Sequence, residues 1–356
     1  VLEQIIPKRG ALPFHHVVHI SCDTNGVVTL AAYNAKEGYV TQLDALWDWE
    51  DGQLAIPAQE FLRSVAAAPA TEVTITENES RGARIESGTA RWNIEPLVGV
   101  DAMNFRIETV VDSGGDDPEA SEMIEALEAV RYAASKTENR PSFQQVHLGD
   151  GYAVASDGRR VHKEAIPHGS GANTYDIPIR AVETLLEALS ADDQDGLLHI
   201  EVDADGEMSF TFGDSQYSVG RLAYGFPDLE AIVFRGAREQ IGEVTARVSE
   251  LVTAVKVASV AIDQGGHVRL NITNGVIEVE GHSSRSEGRM EVQATTENVP
   301  SGTEMLLVAD DLLELLGRIK GEEIMFSVST DPADQGWFYV WEGNNDMEAA
   351  LRPVIG

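Results

Sequence analysis

Apolar positions along this chain switch between a helical and a strand period, and the switch recurs three times. Segments 56–65, 177–186 and 307–316 each read as a strand end running into a short amphipathic helix. Pro57 and Pro178 suit the first helical position of the first two, where a missing N–H costs nothing. Val182, Leu185, Leu186 and Leu189 keep the 3.6-residue spacing through the second. Each helix precedes three short alternating stretches: 72–76, 83–86 and 90–94; then 198–202, 208–212 and 216–219; then 324–328, 337–341 and 348–351. Asp205-Gly206 predicts a hairpin turn within the second set.

A longer helix is predicted over 118–136, with Asp117 as N-cap, Pro118 at the first position and Glu119 and Glu122 at its positive end. Its counterpart is predicted over 243–262, and only residues 1–6 correspond to it in the first repeat. The recurrence, at about 120–130 residues, predicts three copies of one α+β domain. The boundaries fall at the Gly-rich 113–117 segment and near 234–236, giving domains 1–113, 114–236 and 237–356.

Composition narrows the function. A hydrophobic fraction of 43% supports real cores. A net charge of −33 excludes a generally basic nucleic-acid coat but leaves room for a local cationic strip. The single cysteine, Cys22, excludes an intrachain disulfide and a Cys-based zinc site, and is expected to be a small buried apolar residue. No apolar run reaches the ~18 residues of a membrane span, and Val1-Leu2-Glu3-Gln4 lacks the basic start of a signal peptide. The expectation is a soluble, cytoplasmic protein.

The chain carries no phosphate-binding loop, nucleophile elbow or His-Glu-x-x-His sequence. His15 and His19 would share a strand face but stand about 13 Å apart, too far for one zinc ion. Asp193-Gln194-Asp195-Gly196 fits a calcium loop in part only, since Ala191 and Val202 hold the first and twelfth positions. No catalytic, metal or cofactor site is expected. On composition alone, an acidic, β-rich repeat protein binding a carbohydrate or protein ligand is the alternative reading.

Short motifs point further. Val154-Ala155-Ser156-Asp157-Gly158-Arg159-Arg160-Val161, preceded by Arg140-Pro141-Ser142-Phe143, is joined by Gly225-Phe226-Pro227-Asp228-Leu229, the terminal Arg352-Pro353-Val354 and the opening Arg9-Gly10-Ala11-Leu12-Pro13. In order and spacing these resemble the bacterial DNA polymerase III beta subunit, the sliding clamp, over essentially the whole chain. The resemblance implies three clamp domains, each of two helices packed on antiparallel sheet, in a head-to-tail homodimeric ring. Relative to that family, the first strand and part of the first helix would precede Val1. It implies a non-catalytic processivity factor that encircles duplex DNA without sequence preference. Polymerase and clamp loader would be tethered through short peptide motifs.

Residues carried over by motif are expected at three surfaces. DNA would be met by Arg9, Lys136, Thr137 and Arg180, and by helix position Arg63, Arg131, Arg247, Lys256, Arg318 and Lys320. A partner-peptide groove would comprise Phe143, Ser156, Gly158, Arg159, Arg160, Val161, Pro227, Ile232, Phe338, Leu351, Arg352, Pro353 and Val354. The dimer interface would join Trp92 and Ile94 to Ser259 and Val260. Arg352 stands where the family has an apolar lip residue, and the ending Ile355-Gly356 differs from the family's Arg-Leu.

Overall fold

The computed structural model describes residues 1–354 except 8–11, 24–25, 44, 47–51, 104, 106, 108–116, 138, 168–173, 192–195, 204–205, 264, 330–335 and 343–345. Arg9, Asp205, most of the 113–117 linker and the Asp193–Asp195 loop therefore lie outside the described residues.

The element order repeats. The chain opens with α1 (Leu2–Ile5), β1 (Val17–Cys22), β2 (Val28–Tyr33) and β3 (Glu37–Leu43). There follow β4 (Gln53–Pro57), α2 (Ala58–Ala66), β5 (Thr74–Glu77), β6 (Ala83–Ser87) and β7 (Ala90–Ile94). The second pass runs α3 (Ala120–Val130), β8 (Gln145–Gly149), β9 (Tyr152–Ser156), β10 (Arg160–Ala165), β11 (Tyr175–Pro178), α4 (Ile179–Ala191), β12 (His199–Val202), β13 (Glu207–Phe212) and β14 (Ser215–Gly220). A connector, Glu230–Phe234 as a π-helical turn and α5 (Arg235–Arg238), leads to the third. That pass runs β15 (Gly242–Arg247), α6 (Val248–Ser259), β16 (His267–Thr273), β17 (Val276–His282), β18 (Glu287–Glu297), β19 (Thr303–Val308), α7 (Ala309–Leu316), β20 (Glu323–Val328), β21 (Phe338–Glu342) and β22 (Met347–Leu351).

Two compact units result, one built on Val1–Ile124 and Arg180–Leu222, the other on Glu125–Pro167 and Ala223–Gly356. The first holds a seven-stranded antiparallel sheet, β12-β13-β14-β3-β2-β1-β4, and a separate sheet β5-β6-β7. Helix α4 buries Val182, Leu185, Leu186 and Leu189 as its spacing predicts, while Met208, Phe210 and Phe212 alternate inward on β13. The second unit holds the sheet β11-β8-β9-β10-β22-β21-β20-β15-β18-β17-β16-β19. Its main core lies between that sheet and helices α6 and α7.

Three local expectations need correction. Residues 243–247 lie within strand β15 rather than a helix, because Val244 and Ala246 point inward between exposed Glu243 and Arg247, a period of two. Helix α3 starts at Ala120, because Glu119 bridges to Leu197 and the Pro118 carbonyl accepts the Leu198 N–H. His15 sits in a short 3-10 turn, Pro13–His16, rather than on the strand that carries His19. Cys22 is buried, as expected.

Two glycines set the closest approach in the second unit. Gly281 and Gly288 face each other across β17 and β18, under α6. A Cβ on Gly281 would come within 2.2 Å of the Ala258 carbonyl oxygen, and one on Gly288 within 2.7 Å of that of Val257. The helix backbone therefore rests directly on the hairpin.

Candidate functional site

The positions expected to form the peptide groove all belong to the second unit, and strand alternation divides them between two faces. Val161 on β10 stands opposite Ala350 on β22 and Ser156 on β9. With Val154 and Tyr339, Val161 and Ala350 pack under the connector residues Leu229, Val233, Phe234 and Ala237. Phe143 and Phe226 lie partly buried at the margin of this cluster, beside half-buried Pro227, and Ile232 is 63% exposed. Phe338 and Leu351 do not belong to this face. Both are buried in the helix-covered core, with Phe338 against Phe326 at 4.5 Å between ring centroids. The next residue on β21, Tyr339, and the preceding one on β22, Ala350, take the place expected of them.

The turn at the rim is tied from several sides. Ser156 Oγ accepts the Gly158 N–H at 3.0 Å and donates to the Arg160 carbonyl at 2.8 Å. Asp157 Oδ1 accepts the N–H groups of Arg159 and Arg160 at 2.9 and 3.0 Å. Gly158 has φ +85°, and the space where its Cβ would stand is taken by the Arg140 guanidinium and the Phe143 ring. Arg140 donates to the Asp157 carbonyl.

Arg160 is committed elsewhere. It lies 3.1 Å from Asp157 and 3.2 Å from Asp311, pairs with Glu314, and stacks 5.3 Å over Tyr132. Burial pushes the Asp311 carboxyl above its usual value despite the pull of Arg160 and Arg159. Arg160 is therefore not the free hydrogen-bond donor the sequence suggests, and exposed Arg140 and Arg352 are the cations left at the rim, with exposed Arg159 3.6 Å from Asp311. The end of the chain is held as well. The Arg352 N–H donates to the Arg159 carbonyl at 2.7 Å, Pro353 is buried, and the Val354 N–H donates to the Leu306 carbonyl at 2.8 Å.

Sequence reasoning missed the ion network beneath this face. Glu348, fully buried, accepts from Arg238 Nε at 2.7 Å, from Lys163 Nζ at 3.1 Å and from the Tyr339 hydroxyl. Arg238 also pairs with Glu230, so the network ties the connector to β10, β21 and β22. Burial alone would raise the Glu348 carboxyl, but the hydrogen bonds from Arg238, Tyr339 and Lys163 hold it below the ordinary glutamate value. A glutamate in an otherwise apolar strand, Met347–Leu351, was the available signal.

Among the expected DNA contacts, Arg63 and Arg180 are exposed in the first unit, and Lys136, Thr137, Arg247 and Lys256 in the second. Arg131 pairs with Glu128 at 2.8 Å, and Lys320 with Glu125 and Glu164 at 2.5 and 3.0 Å. Arg318 stacks 5.3 Å over Tyr132, and Arg247 lies 3.8 Å from Glu250. Of the interface positions, Trp92 is half-buried, Ile94 is buried within its own unit, Ser259 bonds the Val255 carbonyl and Val260 is 86% exposed.

Among the described residues, β7 pairs only with β6, and residues 287–293 of β18 pair only with β17. Elsewhere the last strand of one pass pairs with the third strand of the pass before it: β14 with β3, and β22 with β10.

Comparison with solved structures matches this arrangement along its whole length. A DNA polymerase sliding clamp from Pseudomonas aeruginosa superposes with a TM-score of 0.82 at 19% identity, covering 100% of this chain and 96% of that one. The chain has the sliding-clamp fold. The Caulobacter crescentus beta sliding clamp, solved with polyethylene glycol bound, gives 0.83 at 19% identity, with the same coverage. The clamp of Bartonella birtlesii, bound to griselimycin, gives 0.82 at 21% identity, again with that coverage. In sequence, the beta sliding clamp of Rickettsia bellii is 19% identical over 269 residues, 72% of this chain and 68% of that protein. No protein-family model matches the chain.

Proposed function

We propose that this chain is the protomer of a non-catalytic DNA sliding clamp, a head-to-tail homodimeric ring that encloses duplex DNA and tethers a polymerase and other peptide-bearing partners. The carrying observation is the repeated strand seam on a clamp fold. Two of three equivalent seams, β14–β3 and β22–β10, are closed within the chain. The third pair, β7 and the 287–293 edge of β18, lacks its partner among the described residues. Exposed strand edges invite pairing, and a second copy supplies both missing strands in a closed two-fold arrangement. Three domains, 1–113, 114–236 and 237–356, are the matching division. A cytoplasmic location fits, and no helix among the described residues is long and apolar enough to cross a membrane. Light scattering after size exclusion tests the reading: two chains per particle are expected, and a monomer at every concentration would sink it.

A ring holds DNA by topology, so contacts need only be weak and blind to sequence. Arg63, Lys136, Arg180 and Lys256, exposed and without an ion pair among the described residues, are the cations best placed to serve, with Thr137 beside them and Arg9 beyond the described residues. Arg131, Arg318 and Lys320 are occupied by neighbours and contribute less. With about four phosphates met, log affinity should fall with log salt at a slope of roughly −3 to −4. A salt-insensitive or sequence-selective affinity for linear duplex is the contrary result.

The partner surface in this reading is the partly exposed apolar rim of Phe143, Phe226, Pro227 and Ile232, backed by buried Val161. Arg140 and Arg352 make its rim cationic, which favours a peptide that places an acidic or glutamine residue beside Leu and Phe. Such a peptide should bind with a Kd on the order of micromolar. Removal of residues 353–356 strips Pro353 and the Val354–Leu306 hydrogen bond and should weaken binding at least about tenfold. Calorimetry on intact and shortened chains decides; equal affinity for both places the peptide elsewhere.

A further inference from the structure

We propose that the β17–β18 hairpin carries a binding site for a divalent first-row transition cation of the zinc class, with Glu280, His282 and Glu287 as ligands. Register brings the three together. His282 stands directly opposite Glu287, and Glu280 lies two residues before His282 on the same strand. Alternation sends all three side chains to the face away from α6, because Gly281 and Gly288 occupy the face toward it. Their ligand atoms all lie within 4.8 Å of one another, and His282 Nε2 is 3.5 Å from Glu280 Oε2. Ligands around a tetrahedral ion with bonds near 2.1 Å are separated by about 3.4 Å, so rotamer adjustment is enough to close the site. Among the described residues no other three such side chains converge this closely.

Two arginines stand opposite Glu280 in register: Arg289 on β18 pairs with Glu278 at 3.1 Å, and Arg269 on β16 lies 4.0 Å from Glu304. Two carboxylates and a neutral imidazole supply the two negative charges that offset a divalent ion. A second imidazole stands across the neighbouring strand. Val268 pairs with Gly281, so His267 comes next to His282 across β16 and β17. His267 and His282 line one open pocket of about 310 Å³, with Asp263 and Arg269 also in its wall. Imidazole ligation selects zinc, cobalt or nickel over magnesium or calcium, which prefer all-oxygen shells. The sequence spacing of i, i+2 and i+7 matches no common metal motif, because only the hairpin register makes the three residues neighbours.

Untagged full-length protein, freed of metal with a chelator, tests the site. Titration with cobalt(II) should bring up the visible absorption of a protein-bound ion at one equivalent per chain, and zinc should displace it. His282→Ala should weaken cobalt binding at least about tenfold with an unchanged circular dichroism spectrum, since His282 is exposed. Glu280→Gln and Glu287→Gln, which keep shape and remove charge, should each weaken it as well. A hundredfold excess of magnesium should not compete. The site is excluded if the wild-type chain takes up no cobalt, if H282A binds it as the wild type does, or if both glutamine variants keep full affinity.

Discussion

Replacing Glu348 with alanine should cost about 3–5 kcal/mol of folding stability. The carboxylate is fully buried and receives three donors, from Arg238, Lys163 and Tyr339. Its removal leaves Lys163 and Arg238 against an apolar cluster with the half-exposed Glu230 as their remaining counter-ion. Arg238 keeps contact with water and with Glu230, which sets the expectation toward the lower end of that range. Urea denaturation of the two proteins measures the difference, and a loss below about 1 kcal/mol would mean that the network contributes no more than an exposed pair. The pH dependence has a definite sign. The native carboxyl titrates below 4.5, its value in the unfolded chain, so its contribution is complete above that pH. The contribution drains away as pH falls through the lower native value, so wild type and variant should converge in acid.

Trp92→Ala should shift the proposed dimer toward monomer by about a hundredfold in the association constant. Trp92 is only half-covered within its own unit and sits on β7, whose second edge has no partner among the described residues. Covering the rest of an aromatic side chain contributes about 1.5 kcal/mol. A closed head-to-tail dimer contains the seam twice, so one substitution counts twice, about 3 kcal/mol per particle. Ile94, buried within its own unit, is not expected to act in the same way, whereas exposed Val260 is the natural second position to alter. Sedimentation over a dilution series reads the shift directly. An unchanged dimer would move the interface away from β7.

Much of the fold was legible in the chain because its elements are buried on one side only. The alternation of Met208, Phe210 and Phe212 marks β13, and Pro57 and Pro178 locate the starts of α2 and α4 to within one residue, closing β4 and β11 rather than taking the first helical position expected of them. Legibility failed where both faces are covered. Every residue of β22 is buried, and Phe338, Tyr339 and Val340 on β21 are buried in succession, so the period that would assign faces is erased. Phe338 and Leu351, carried into the groove by motif position, lie on the helix side, and no alternation was present in the chain to check that placement. Arg160 failed for another reason. Its partners Asp311 and Glu314 are about 150 residues away, and local spacing carries no trace of them.

The contact of α6 with Gly281 and Gly288 also governs how that part of the molecule yields under load. Elsewhere a helix and a sheet are separated by side chains, which can change rotamer and absorb a small displacement. Here the carbonyls of Val257 and Ala258 rest on strand backbone with nothing between them to give. Sliding of the helix end over the β17–β18 hairpin therefore requires one backbone to lift off the other, because no side chain lies between them at these two positions.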